Sequence, residues 1–288
     1  MNEVATPIVE EVFLPDGARV GIRRVAGAEG APTILCTAAM GVEAAFYTRF
    51  AVSLQALGYE VFTVDNRGLG LSSVEIRRGV DHGFREVVEG DMPAVVQWVR
   101  DASRGGPLIL LGHSLGGQLN CLYAAAAATK PDAMVLLTCC SVYWGSFRWP
   151  IGWGLWLFGL LARGVTEVMG YWPGRTFGFG RKEPLTLTRD WTHQCRTGRY
   201  EPRGASLNYE ALLRRLEVPI LALSFTDDFY APKAAVEHLL DKMPAAATHH
   251  RDLGSDPLRG EGMSHFSWAK RPDVVSPIID AWIRETLS

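Results

Sequence analysis

Short runs of uninterrupted apolar residues alternate along the chain with longer stretches in which apolar positions recur every three or four residues, and this alternation predicts most of the fold. Glu11 to Arg24 reads as a hairpin turning at Pro15-Asp16-Gly17, where Asp and Gly supply the turn conformations. Thr33 to Cys36 is a short apolar run that enters a loop of small residues, Thr37-Ala38-Ala39-Met40-Gly41. Phe50 to Leu57 has helical spacing and stops at Gly58, a C-cap, and Tyr59 to Val64 follows as a β-branched and aromatic strand ending at Asp65-Asn66-Arg67-Gly68-Leu69-Gly70. Val88 to Val99 is an amphipathic helix. Leu108 to Leu111 and Ala133 to Thr138 are continuous apolar runs, the pattern of strands buried on both faces, with a helix from Leu119 to Ala128 between them. Further on, Tyr209 to Leu216, Ala234 to Leu240 and Val274 to Thr286 are helical, while Pro219 to Ser224 and Thr248 to Leu253 are strands. Strands alternating with helices predict an α/β fold, a mostly parallel central sheet covered by helices on both faces.

One stretch breaks the alternation. From Val142 to Ala205 the chain carries six of its nine tryptophans, namely Trp144, Trp149, Trp153, Trp156, Trp172 and Trp191, together with several Tyr and Phe. This stretch is expected to be an inserted cap, residues 142–205, on a core made of residues 1–141 and 206–288. Within it Ile151 to Ala162 is apolar throughout, but its twelve residues cover only about 18 Å of helix against a hydrocarbon core of about 30 Å, too short to span a membrane.

Charge and cysteine content narrow the function. With 29 Lys and Arg against 31 Asp and Glu among 288 residues, the chain lacks the basic footprint that a nucleic-acid backbone demands. Five cysteines, an odd number without CxxC or metal spacing, read as small buried hydrophobes in a reducing compartment. Met1 to Pro15 holds Glu3, Glu10 and Glu11 and no apolar stretch behind basic residues, so it does not read as a secretory signal and a cytoplasmic location is expected.

Chemistry enters at Gly112-His113-Ser114-Leu115-Gly116-Gly117, between an apolar strand and a helix. The G-x-S-x-G spacing has a mechanical cause: the strand must turn sharply into the helix, which strains the Ser and needs side-chain-free neighbours two residues away on either side. Ser114 is the expected nucleophile. A serine hydroxyl needs a base, and the base an orienting acid, following the Ser in the order acid then His. Asp227 and Asp228 sit just after a strand; Asp228 is preferred because Pro232 suits the turn into the next helix, with Asp227 the alternative. His82 and His113 precede the serine, His193 lies in the insertion, His238 in a helix, and His249 and His250 in mid-strand, which leaves His265 in Gly262-Met263-Ser264-His265-Phe266 as the base. The backbone N–H groups of Leu115 and of Met40, with Ala39 as the alternative to Met40, are the expected oxyanion donors.

Together these motifs resemble the α/β-hydrolase superfamily over essentially the whole chain, on the run from Gly58 to Ser72, the elbow, Asp228 to Pro232 and Gly262 to Phe266. Met169 to Gly174, Trp191 to Cys195, the Asp227-Asp228 doublet and the final His-Phe pair resemble more closely a little-characterised subgroup of predicted bacterial serine hydrolases. Two departures stand out. Ala38-Ala39 replaces the His-Gly of many relatives, and Gly180-Arg181-Lys182-Glu183 stands where an acidic Gly-Glu-Asp stretch is expected before Pro184.

The resemblance implies hydrolysis of a carboxylic ester through an acyl-enzyme, with no metal or organic cofactor. The aromatic cap, with Trp144, Trp149 and Trp153 at the substrate, implies a small ester with an apolar acyl or alkyl group. No acidic cluster in the cap would receive a peptide amino terminus, so aminopeptidase activity is not expected. An acyltransferase or thioesterase would use the same triad, and a non-catalytic ligand-binding protein would use the same scaffold. An exposed aromatic cap would also offer a homodimer surface.

Overall fold

Where consecutive residues are apolar without interruption, neighbouring side chains must find a core on each side of the strand. The computed structural model, which describes residues 6–254 and 263–288, builds two such cores. Ten strands form among the described residues: β1 (Ile8–Phe13), β2 (Arg19–Val25), β3 (Thr33–Thr37), β4 (Glu60–Val64), β5 (Leu108–His113), β6 (Ala133–Leu137), β7 (Tyr171–Pro173), β8 (Lys182–Pro184), β9 (Ile220–Phe225) and β10 (Thr248–Leu253). Eight of them make one sheet in the order β1-β2-β4-β3-β5-β6-β9-β10, antiparallel from β1 to β4 and parallel from β4 onward.

The helices are α1 (Thr48–Gln55), α2 (Phe84–Glu86), α3 (Met92–Ala102), α4 (Leu115–Ala126), α5 (Ile151–Met169), α6 (Gly174–Phe177), α7 (Leu185–Thr197), α8 (Tyr209–Leu213), α9 (Lys233–Leu240) and α10 (Pro272–Thr286). On β5, Leu108 and Leu110 join one core with α3, α4, α8 and α9, while Ile109 and Leu111 join the other with α1 and α10. The sheet is therefore covered on both faces.

Three elements differ from the sequence reading. The amphipathic helix starts earlier, at Phe84, and passes through a wide π turn, Val87–Asp91, just ahead of Pro93, which has no N–H to give to the preceding turn. The elbow helix begins at Leu115, immediately after Ser114, and the apolar helix of the aromatic stretch continues to Met169. That stretch also holds the ribbon β7-β8 and α7, which apolar periodicity did not flag. No helix among the described residues is long and apolar enough to cross a membrane.

The chain leaves β3 toward β4 on one side and returns to β5 on the other, which opens a crevice beyond the carboxyl ends of β3 and β5. The loop carrying Met40 and the turn carrying Ser114 both issue there.

Candidate active site

The elbow is built by steric necessity. Ser114 sits at φ 51° and ψ −118°, an unusual conformation for a residue with a side chain, between β5 and α4. A Cβ on Gly112 would lie 2.2 Å from the Cα of Gly117, and one on Gly116 would lie 2.5 Å from the Thr37 carbonyl oxygen. The backbone of the turn thus packs against itself and against the end of β3, leaving no space for side chains. The residue after Ser114 opens α4, so the N–H of Leu115 has no acceptor among the described residues and lies at the electropositive end of the helix.

Beyond β9, Asp228 is buried and Asp227 is exposed. Asp228 Oδ1 accepts the backbone N–H groups of Tyr230 (2.8 Å) and Ala231 (3.2 Å), and Oδ2 lies 2.9 Å from His265 Nδ1. The aspartate is held by its own loop, and it holds the imidazole. The His265 carbonyl oxygen accepts Trp268 Nε1–H at 2.9 Å and the Thr138 hydroxyl at 3.4 Å, and the His265 ring packs against Phe266, His113 and Tyr230 at centroid distances of 4.9, 5.0 and 5.1 Å. Gly262, quoted with the His265 motif, lies outside the described residues.

In the loop after β3 the two candidate donors are not equivalent. The Ala39 N–H is given to Tyr47 Oη at 3.0 Å, whereas the Met40 N–H has no acceptor among the described residues. Tyr47 Oη in turn lies 2.8 Å from His113 Nδ1. The hydroxyl thus bridges the Ala39 N–H and the His113 ring. Burial, and secondarily the neighbouring His265, hold the His113 imidazole well below the usual histidine range, so it is neutral. A residue that chain order removes as a base therefore ties the loop after β3 to the elbow. Its position inside G-x-S-x-G was the available signal.

A cavity of about 470 Å³ joins these groups: Ser114, Leu115, Met40 and His265 all line it. The remaining wall is mostly apolar, with Phe147, Leu155, Phe158, Phe179 and Trp191 from the aromatic stretch and Phe229 and Tyr230 from the loop after Asp228. Among the described residues the lining contains no carboxylate.

Trp144, Trp149 and Trp153, expected at the substrate, do not line this cavity. Trp149 and Trp153 are exposed, 81% and 49%, because they lie just before α5 and on its outward side, whereas Leu155 and Phe158 occupy the inward side. Trp191, on α7, reaches the cavity wall, and Trp172 is buried behind it against Phe158. Glu183 on β8 is also buried, sharing a small void with Met40. Burial pushes its carboxyl up to about 7. Among the described residues no group of three or more His, Cys, Asp or Glu side chains is arranged to hold a metal ion.

Comparison with known proteins places this geometry in context. Residues 31–194 match the family model described as serine aminopeptidase, S33. The structure resembles an esterase from Rhodococcus sp., at 21% identity over 96% of this chain and 98% of that one, with a TM-score of 0.59. It also resembles a bacterial membrane phospholipase A (19% identity, 99% and 88% of the chains, TM-score 0.65) and the thioesterase domain of the curacin biosynthetic pathway (15%, 95% and 99%, TM-score 0.61). At these identities the likeness is one of fold. No curated protein matches the chain's sequence.

Proposed function

Since the chain belongs to the serine aminopeptidase S33 family of α/β-hydrolases, we propose that it is a serine hydrolase that cleaves carboxylic esters carrying an apolar acyl or alkyl group. The reading rests on one observation above all. The strained Ser114, the N–H groups of Met40 and Leu115, which have no acceptor among the described residues, and a histidine 2.9 Å from a buried carboxylate meet at a single apolar cavity.

In the proposed mechanism the Ser114 hydroxyl attacks the ester carbonyl while His265 takes its proton through Nε2. Asp228, at His265 Nδ1, keeps the ring in the tautomer that leaves Nε2 free to accept and favours the imidazolium that forms. The N–H groups of Met40 and Leu115 receive the oxyanion of the tetrahedral intermediate. His265 then returns the proton to the leaving alcohol, and water releases the acyl group by the same roles in reverse. Residues 142–205 act as a cap on a core of residues 1–141 and 206–288, and the cap's Phe147, Leu155, Phe158 and Phe179 enclose the apolar part of the substrate.

Esters are favoured over peptides with a free amino terminus, because no described lining residue offers a carboxylate to an ammonium group. The test combines a serine-reactive fluorophosphonate probe with p-nitrophenyl esters of graded chain length. Labelling should be abolished by Ser114→Ala, and medium chains should be preferred to acetate. Absence of labelling together with absence of turnover at every chain length would leave a ligand-binding scaffold.

A further inference from the structure

From Ile151 to Ala162, ahead of its Arg163–Glu167 pair, helix α5 is apolar on both sides. Gly154, Leu155 and Phe158 line the cavity, while Trp153, Leu157, Leu160, Leu161 and Val168 point outward and are exposed, with Trp149 just ahead of them. A helix at a water-facing surface ordinarily turns charged side chains outward. Here no charged residue occurs from Ile151 to Ala162. The patch continues into the mouth of the cavity, where Ile151, Phe177, Phe229, Tyr230 and Phe266 each line the cavity and each remain at least 36% exposed.

Charge is distributed to match. Residues 142–205 hold nine Arg and Lys against four Asp and Glu, whereas the rest of the chain holds twenty against twenty-seven. The stretch is therefore net +5 on a chain that is net −2, and two of its four acids, Glu183 and Asp190, are buried.

We propose that this face docks on an anionic lipid surface, with the outward side of α5 in the boundary between headgroups and acyl chains and the cavity mouth turned toward the lipid. An exposed apolar helix with tryptophans, in a stretch of net positive charge, has the two attractions such a surface offers. A second copy is the poorer occupant, because a twofold contact sets the same patch against itself and brings two +5 stretches together. Entry of a lipid-borne acyl group into the cavity rests on the serine-hydrolase reading above; the docking does not.

The test is flotation of the full chain with vesicles of phosphatidylcholine alone or mixed with phosphatidylglycerol, at low and high salt. The chain should float with the anionic vesicles at low salt, and less so at high salt or with phosphatidylcholine alone. Leu157→Asp and Leu161→Asp, at positions that do not line the cavity, should each weaken binding by at least about tenfold and leave turnover of a soluble short-chain ester unchanged. Arg148→Glu should weaken binding to the anionic vesicles alone. The proposal is overturned if the wild-type chain does not float, if the aspartate variants float equally well, or if sedimentation shows a dimer that those variants dissolve. Flotation without ester turnover supports docking and counts against the hydrolase reading; turnover without flotation does the reverse.

Discussion

Replacing Asp228 by asparagine isolates the proton on which the proposed mechanism turns. Its Oδ1 accepts two backbone N–H groups and its Oδ2 faces His265 Nδ1. An asparagine can keep the two backbone bonds with its amide oxygen, so the loop after β9 is preserved. The amide nitrogen then faces Nδ1, where two donors cannot meet, and the imidazole proton moves to Nε2, the atom that must accept from Ser114. The cost to the fold is one hydrogen bond to a charged group, about 1.5–3 kcal/mol. At about 2.1 cal/mol/K per residue, the unfolding entropy of this chain is roughly 0.6 kcal/mol/K, so Tm should fall by only about 3–5 °C. The catalytic cost is of another order, because a triad histidine held in the wrong tautomer loses about 10⁴-fold in kcat. Asp227→Asn, at an exposed side chain, should leave both quantities near wild type. Steady-state kinetics on a p-nitrophenyl ester, paired with a thermal melt of each variant, separate the two effects. If Asp228→Asn keeps more than about a tenth of kcat, or if Asp227→Asn loses more, the assignment of the acid is wrong.

Other perturbations probe the surroundings. Tyr47→Phe strips a partner from the Ala39 N–H and from His113 Nδ1, both buried, at about 1–3 kcal/mol each. Slackening of the loop that carries Met40 should also lower kcat by about 10- to 100-fold with little change in KM if Met40 is a donor to the oxyanion, and an unchanged kcat would count against that role for the loop. Glu183 has a folded-state value of about 7 against an ordinary 4.5, so the native chain keeps a proton that the unfolded chain gives up, and stability should decline as pH rises from about 4.5 toward 7. Glu183→Gln should flatten that dependence and stabilise the fold at pH 8 by on the order of 3 kcal/mol, read as a higher Tm, and a Tm profile unchanged by the substitution would count against a buried acid there. Gly116→Ala places a methyl against the Thr37 and Ala38 carbonyl oxygens at 2.5 and 2.7 Å, so both fluorophosphonate labelling and Tm should collapse together.

Features encoded by neighbours in sequence were the ones legible from it. The uninterrupted apolar runs at Leu108 and Ala133 marked strands because a strand facing two cores has no polar side to show, and the two cores divide their residues alternately. The elbow could be read because its steric demand falls within six residues. What depends on the rotation of a helix about its own axis was not legible. Which aromatic rings of residues 142–205 face the cavity is set by how α5 packs on α7 and the core, and the apolar run from Ile151 to Ala162 gives no polar face to orient by. The Tyr47–His113 bond joins positions 66 residues apart and leaves no local pattern at all. The range of the elbow helix shifted for a simpler reason: its first turn, Leu115 to Gln118, is short of long apolar residues and looks like loop until the turn that precedes it is placed.

The cavity wall has a consequence for how such a molecule changes over generations. Ser114, Leu115, Met40 and His265 issue from the ends or connections of the central sheet, whereas Phe147, Leu155, Phe158, Phe179 and Trp191 come from a single contiguous stretch between β6 and α8. Substitutions, insertions or wholesale replacement in that stretch can redraw the space offered to a ligand without moving the strand ends. Inheritance can therefore tinker with what is admitted while the turn at Ser114 is passed on, with the loop that carries Met40, which packs on Gly180 and Arg181, as the place where the two histories meet.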